Sequence, residues 1–350
     1  MMTPIARRRP LLQAIALTLT LLCAPVLGNA QVINNGFEID GIAKGMPDGT
    51  LLYLRIARDT GGSIDSTYVL NERFRFAGRL VAPAEYALIR TQPLTDYKFV
   101  WLENTAMRFK GEKGSFRDAI LTGSKSEDER RTLDSLLETV SESRRLDQYA
   151  RFIAAHPNSI VSGQSLAVHA SGFGRDQTRV LYDALSSDVK ETSYGKTVST
   201  FLSLNADPKI GDRFTDFAQP DVNGKPVSLS DFRGKVVLLE FWGSWCGPCR
   251  KSNPELVKVY HEFNASGFEV LGVASESNRN AWLHAIEKDK LPWTNVTELK
   301  GDKNNAAMIY GISYYPSNFL IDQGGTIIGK DISGNALRRM LKKHLGGRSK

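Results

Sequence analysis

The spacing of apolar residues changes period twice along this chain. From about Phe37 to Gly123, short apolar runs are broken by turn residues, which is how strands read. Candidate strands are Leu51–Ile56, Phe74-Arg75-Phe76, Tyr86-Ala87-Leu88-Ile89 and Phe99-Val100-Trp101-Leu102, with turns at Pro47-Asp48-Gly49 and Gly61-Gly62. Regular spacing without a helical period predicts a small antiparallel β-sandwich over residues 31–125. From about Ser126 to Asn205 the period becomes helical. Leu133, Leu136, Leu137 and Val140 share one face, continued by Leu146, Phe152 and Ile153. Ser124 or Ser126 can cap the first helix, with Glu127, Asp128 and Glu129 in its first turn. His156-Pro157-Asn158 breaks the run, and further helices are expected over 160–171, 176–186 and 194–204. Residues 126–206 thus read as a helical spacer.

From Ile210 the pattern changes again. Phe217 to Leu229 reads as a hairpin around Asn223-Gly224, and the nearly continuous apolar run 236–242 as a buried central strand. A helix is expected from Cys246 to Phe263, a strand at 268–274, a helix at 279–289 and a short helix after Val296. Strand 319–322, a turn at Gly324-Gly325, strand 326–329 and helix 335–345 close the pattern. Strands alternating with helices make residues 207–350 an α/β layer.

Residues 1–30 read as a secretory signal. Arg7-Arg8-Arg9 precede an apolar run from Leu11 to Leu22 that is short for a bilayer span, and Gly28-Asn29-Ala30 supplies small residues before a cut at Gln31. The rivals are a lipid anchor on Cys23, disfavoured by bulky Leu22 in front of it, and an uncleaved anchor. The expected location is the periplasm. With 350 residues, 41% of them hydrophobic and 24% charged, the composition is that of a soluble multidomain protein. The net charge of +7 is spread out, with no basic block interleaved with aromatics to suit nucleic acid.

Of three cysteines, Cys23 leaves with the signal, so only Cys246 and Cys249 remain to pair. One pair in a chain this long is chemical rather than structural, because a bridge from i to i+3 closes a tiny loop. Cys246-Gly247-Pro248-Cys249 places the first thiol at a helix N-terminus, where free N–H groups and the dipole favour thiolate. Pro248 suits the first helical turn. Zinc would need two more ligands, and a lone His261 does not supply them. His156 and His169 read as structural.

The stretch Phe241-Trp242-Gly243-Ser244-Trp245-Cys246-Gly247-Pro248-Cys249-Arg250, followed by Pro254 and then Tyr315-Pro316-Ser317-Asn318-Phe319-Leu320-Ile321-Asp322, resembles the thioredoxin fold. Within it, with the lead-in Ser228 to Lys235, the chain resembles the secreted TlpA/ResA-like thiol–disulfide oxidoreductases of the AhpC/TSA superfamily. The segments ahead of it resemble the uncharacterised β-domain and helical spacer that often precede such modules. The resemblance implies an exposed nucleophile, Cys246, and a buried resolving thiol, Cys249. It implies Glu240 as general base for Cys249, its pKa raised by desolvation; an acid at a sheet edge or in a buried hydrogen-bond network is the alternative. It makes Pro316 a cis-proline facing the pair, with Tyr315 able to pair its backbone with a substrate strand. Trp245, Gly247 and Pro248 complete the docking surface, and Pro254 should kink the helix.

Two departures limit the resemblance. Ser252 stands where cytochrome-maturation members carry Glu, and the Pro-xxx-Thr-xx-Cys pattern of peroxidases is absent, with Leu239 and Gly243 at those positions. The expected function is reduction of protein disulfides through the Cys246–Cys249 dithiol, with no other cofactor and no metal, recharged by a membrane thiol donor. The alternatives are a thioredoxin-fold peroxidase and an envelope-binding protein led by its first domain. Oligomeric state is not encoded legibly.

Overall fold

The computed structural model describes residues 36–56 and 64–345. The expected signal segment, Cys23 and the Gly61-Gly62 turn lie outside the described residues. The first domain comprises β1 (Phe37–Lys44), β2 (Leu51–Ile56), β3 (Ile64–Tyr68), β4 (Arg73–Gly78), β5 (Ala84–Thr91), β6 (Tyr97–Glu103), β7 (Ala106–Glu112) and β8 (Ile120–Thr122). They form two four-stranded sheets, ordered β4-β1-β7-β8 and β3-β2-β5-β6. Inward residues such as Ile39, Leu54, Phe76, Ile89 and Phe109 fill the space between them. The sandwich is not wholly antiparallel, because β1 runs parallel to β7. A period-two pattern fixes which face is buried, not the direction of the neighbouring strand.

Helices follow. In α1 (Lys125–Glu138), Ser124 caps the start by accepting the Glu127 N–H at 3.1 Å. Leu133 and Leu137 are buried, whereas Leu136 and Val140 sit half-buried at the edge. Next come α2 (Arg145–Ala155), α3 (Ile160–Ala184), the short α4 (Ser187–Glu191) and α5 (Ser193–Leu204). Gly174, at φ 75°, breaks α3 into the two helices that the sequence suggests.

The last domain contains the hairpin β9 (Ala218–Pro220) and β10 (Pro226–Ser228), then β11 (Val236–Trp242), α6 (Gly247–Phe263), β12 (Phe268–Ala274) and α7 (Arg279–Asp289). After β13 (Thr294–Val296), a strand the pattern did not announce, come α8 (Asn305–Ile309), β14 (Ser317–Ile321), β15 (Ile327–Lys330) and α9 (Gly334–Leu345). The sheet order is β13-β12-β11-β14-β15, parallel through β13, β12 and β11 and antiparallel beyond. Every residue of β11 and β12 is buried, as central strands covered on both faces require. Residues Leu238 and Trp242 face a core shared with α6, α7 and α9, while Leu239 and Phe241 face α8 and Tyr310.

The three parts pack in series. Trp101 and Ala84 share a core with Leu133, Leu137, Phe152 and Val161, joining sandwich to helices. Met308 of α8 enters the core of α3 and α5, joining helices to the last domain. Asn205 donates to the Met308 carbonyl at 2.8 Å, and the Ala206 N–H reaches the Ile309 carbonyl at 3.0 Å.

Candidate active site

Strand β11 ends at Trp242, and the chain turns through Gly243-Ser244-Trp245 into α6. Cys246 is the N-cap: its backbone is extended, and its sulfur accepts the Cys249 N–H at 3.2 Å. The two sulfurs are joined at 2.01 Å, with Cα atoms 5.3 Å apart. Pro248 lies in the first turn, and α6 continues unbroken through Pro254. In this oxidised form Cys246 is only 4% exposed and Cys249 1%, which corrects the expectation of an exposed first sulfur. The cause is packing: both cysteines join the apolar cluster around Trp242, against which Tyr315 lies. The exposed rim is instead Trp245, Gly247 and Pro248.

Trp245 is held in place while remaining 58% exposed. Its indole N–H donates to the Ser275 carbonyl at 2.8 Å, and its ring meets that of Tyr315 edge-on, with centroids 5.3 Å apart. A Cβ on Gly243 would lie 2.6 Å from the indole nitrogen, so the glycine makes room for the ring. The Tyr315–Pro316 bond is cis, as expected. The Tyr315 hydroxyl is hydrogen-bonded to Ser275 Oγ, so the end of β12 supports both aromatic residues.

Arg250 locks the start of α6 to α7. It pairs bidentately with Asp289, which also accepts from Asn253 Nδ2 at 2.8 Å. Ser244 N–H donates to Glu276, fixing the turn that leads into the cysteines. Ser252, one turn past Cys249, donates to the Cys249 carbonyl at 2.9 Å.

Glu240 sits on the face of β11 that also carries Leu238 and Trp242 toward α6. It is buried, and Asn318, directly opposite on β14, donates to its Oε2 at 2.9 Å. Burial pushes the carboxyl up to about 8, against the lowering effect of the Asn318 hydrogen bond and with a further rise from Asp331. A cavity of about 240 Å³ opens beside it, lined among others by Ser252, Glu255, Pro316 and Asn318.

The fold therefore gathers Cys246, Cys249, Trp245, Gly247 and Pro248 at one helix end, with Tyr315 against the same cluster, and brings Glu240 and Pro316 to one cavity. Sequence reasoning passed over Asn318, Ser275, Asp289, Glu276 and Glu255. Only Asn318 left a trace, as a polar residue in the apolar run after Pro316. Glu255 lies on α6 itself, and Ser275, Glu276 and Asp289 are brought in from distant elements. Among the described residues, no group of three or more His, Cys, Asp or Glu side chains is placed to hold a metal.

The sequence is similar to known families and proteins. The AhpC/TSA family matches residues 210–330, and a domain of unknown function, DUF4369, matches residues 37–129. The thiol-disulfide oxidoreductase ResA of Geobacillus thermodenitrificans is 34% identical over 148 residues, 42% of this chain and 82% of that protein. ResA of Bacillus subtilis is 30% identical over 39% of this chain and 73% of its own length. Among solved structures, the thioredoxin domain of a thiol-disulfide oxidoreductase from Bacteroides vulgatus is 35% identical, covers 39% of this chain and 99% of that one, and superposes with a TM-score of 0.38. A paired CGPC motif capping the first helix of a thioredoxin fold that also carries a cis-proline, in a chain that aligns with most of ResA, places this protein in the AhpC/TSA family of thioredoxin-fold, ResA-like thiol–disulfide oxidoreductases.

Proposed function

We propose that this oxidoreductase works as a reductase of protein disulfides outside the cytosol. The observation that carries it is the Cys246–Cys249 pair at the N-cap of α6, rimmed by Trp245, Gly247 and Pro248 and backed by a buried carboxyl. In the reaction, a dithiol donor first opens the enzyme disulfide. The Cys246 thiolate, favoured by the helix end, then attacks a substrate disulfide, forming a mixed disulfide and releasing one substrate thiolate. Cys249 loses its proton to Glu240 and attacks Cys246 Sγ, which re-forms the enzyme disulfide and frees the second substrate thiolate. Two electrons pass from dithiol to substrate. Tyr315 supplies backbone for strand-like pairing with the substrate, and Trp245 supplies an apolar platform.

The direction is supported by the Gly247-Pro248 dipeptide, which resembles that of thioredoxin, with a potential of about −270 mV against about −120 mV for the oxidant DsbA. The location is supported by the Arg7-Arg8-Arg9 and apolar segment at the start of the chain. A membrane thiol donor is the matching electron source. The test is reduction of insulin by the purified chain from Gln31 onward, together with the equilibrium potential of the cysteine couple against glutathione. Cys246→Ser should abolish turnover, and the potential should lie near that of thioredoxin. Full activity in Cys246→Ser would remove the enzyme reading; a potential near that of DsbA would reverse the direction.

A further inference from the structure

We infer that Asn318 is a positioning residue for the redox reaction: its amide orients the Glu240 carboxylate and keeps it available to take the Cys249 proton. The inference rests on Glu240 acting as that base, as proposed above.

Asn318 stands opposite Glu240 in the antiparallel β11–β14 pair, where facing side chains come within direct reach. Both residues are 7% exposed. Asn318 Oδ1 accepts the Ile332 N–H at 2.9 Å, and Nδ2 donates both to Glu240 Oε2 at 2.9 Å and to the Ile332 carbonyl at 3.2 Å. A backbone N–H can only donate, so the oxygen of the amide must face Ile332 N and its NH2 must face the carboxylate. The orientation is decided by chemistry. The residue is also strapped to the turn after β15: Asp331 N–H donates to the Asn318 carbonyl at 2.9 Å, and Asn318 N–H to Asp331 Oδ1 at 3.3 Å. Asp331 in turn accepts from the Tyr314 hydroxyl, two residues ahead of Pro316.

Among the described residues, the charged and titratable groups around Glu240 leave Asn318 as the side chain whose hydrogen bond favours the ionised carboxylate. Asp331, from the turn after β15, is a like charge. Glu255 of α6 lines the same cavity but is neutralised by Arg338 of α9. The cysteines of α6 are joined, and on β12 the facing position is Gly272, without a side chain. A donor to the carboxylate stabilises its charged form, which burial and Asp331 both oppose.

The experiment is the pH profile of single-turnover disulfide reduction by the reduced full chain, in wild type, Glu240→Gln, Asn318→Leu, Asn318→Asp and the double variant Glu240→Gln with Asn318→Leu. Wild type should show an acid limb near pH 8. Asn318→Leu removes the donor and should move that limb up by about one pH unit, a roughly tenfold loss at neutral pH, with rates converging in alkali. Asn318→Asp keeps the shape but turns a donor into an acceptor, and should move it further. Convergence in alkali shows that the variants are folded. Glu240→Gln should lose the limb, and Asn318→Leu should add nothing in that background. Wild-type profiles in both Asn318 variants, or an equal slowing at every pH, overturn the inference while leaving Glu240 as base. A wild-type limb in Glu240→Gln overturns both.

Discussion

A carboxyl with no positive partner among the described residues, in the middle of a seven-residue buried strand, is a stability cost that varies with pH. Glu240 in the folded chain titrates at about 8, raised chiefly by burial, against an ordinary value of 4.5. Between those two pH values the native protein holds a proton that the unfolded chain has already released, so stability falls as pH rises through that window. By pH 8 the penalty is roughly 4 kcal/mol. Glu240→Gln, neutral at every pH and able to accept the Asn318 hydrogen bond, should match wild type near pH 4.5 and exceed it by a few kcal/mol at pH 8. Urea midpoints across that range check it, and parallel curves would mean that folding does not raise the proton affinity of this carboxyl. A buried acid with so perturbed a proton affinity accords with the proton-transfer role proposed above.

At the scale of elements, α6 carries the reactive pair and must be held rigidly at its start. Its N-cap is a cysteine rather than Ser, Thr, Asp or Asn, a weaker capping group by chemistry. The bidentate Arg250–Asp289 pair, joined by Asn253, anchors this first turn to the end of α7. The carboxylate is largely enclosed and the guanidinium about three-quarters so, with side-chain exposures of 11% and 23%. Removing one partner leaves the other partly buried and uncompensated. Asp289→Ala should therefore cost about 2–3 kcal/mol in urea unfolding, and should slow turnover by loosening the turn around Cys246. A loss below half a kcal/mol would show that the pair is only a surface contact.

At the scale of the whole molecule, the joint between sandwich and helices is built on Glu127, which is fully buried. Its Oε2 accepts the Trp101 N–H at 2.9 Å, and Arg130 bridges both oxygens. Glu127→Ala should cost about 3 kcal/mol and speed hydrogen exchange at Trp101, with insulin reduction unchanged because the joint lies in a separate core from the cysteines. Much of this architecture is legible from periodicity alone: the strands at 51–56 and 236–242, the helix at 279–289 and the break at His156 follow from which positions need burial. The pair Cys246 and Cys249 is equally legible, because redox chemistry by exchange needs two thiols one turn apart at a helix start; the cis state of Pro316 is implied only by the resemblance to the thioredoxin fold. What the chain alone did not disclose are properties of approach between distant segments. The parallel run of β1 beside β7, the covering of Cys246 by the cluster around Trp242, and the amide of Asn318 against Glu240 arise only when elements meet. Local spacing determines which face of each element is apolar and which residues can react; only the packed sheet decides strand direction, exposure and the proton affinity of a buried acid, because each depends on neighbours many residues away.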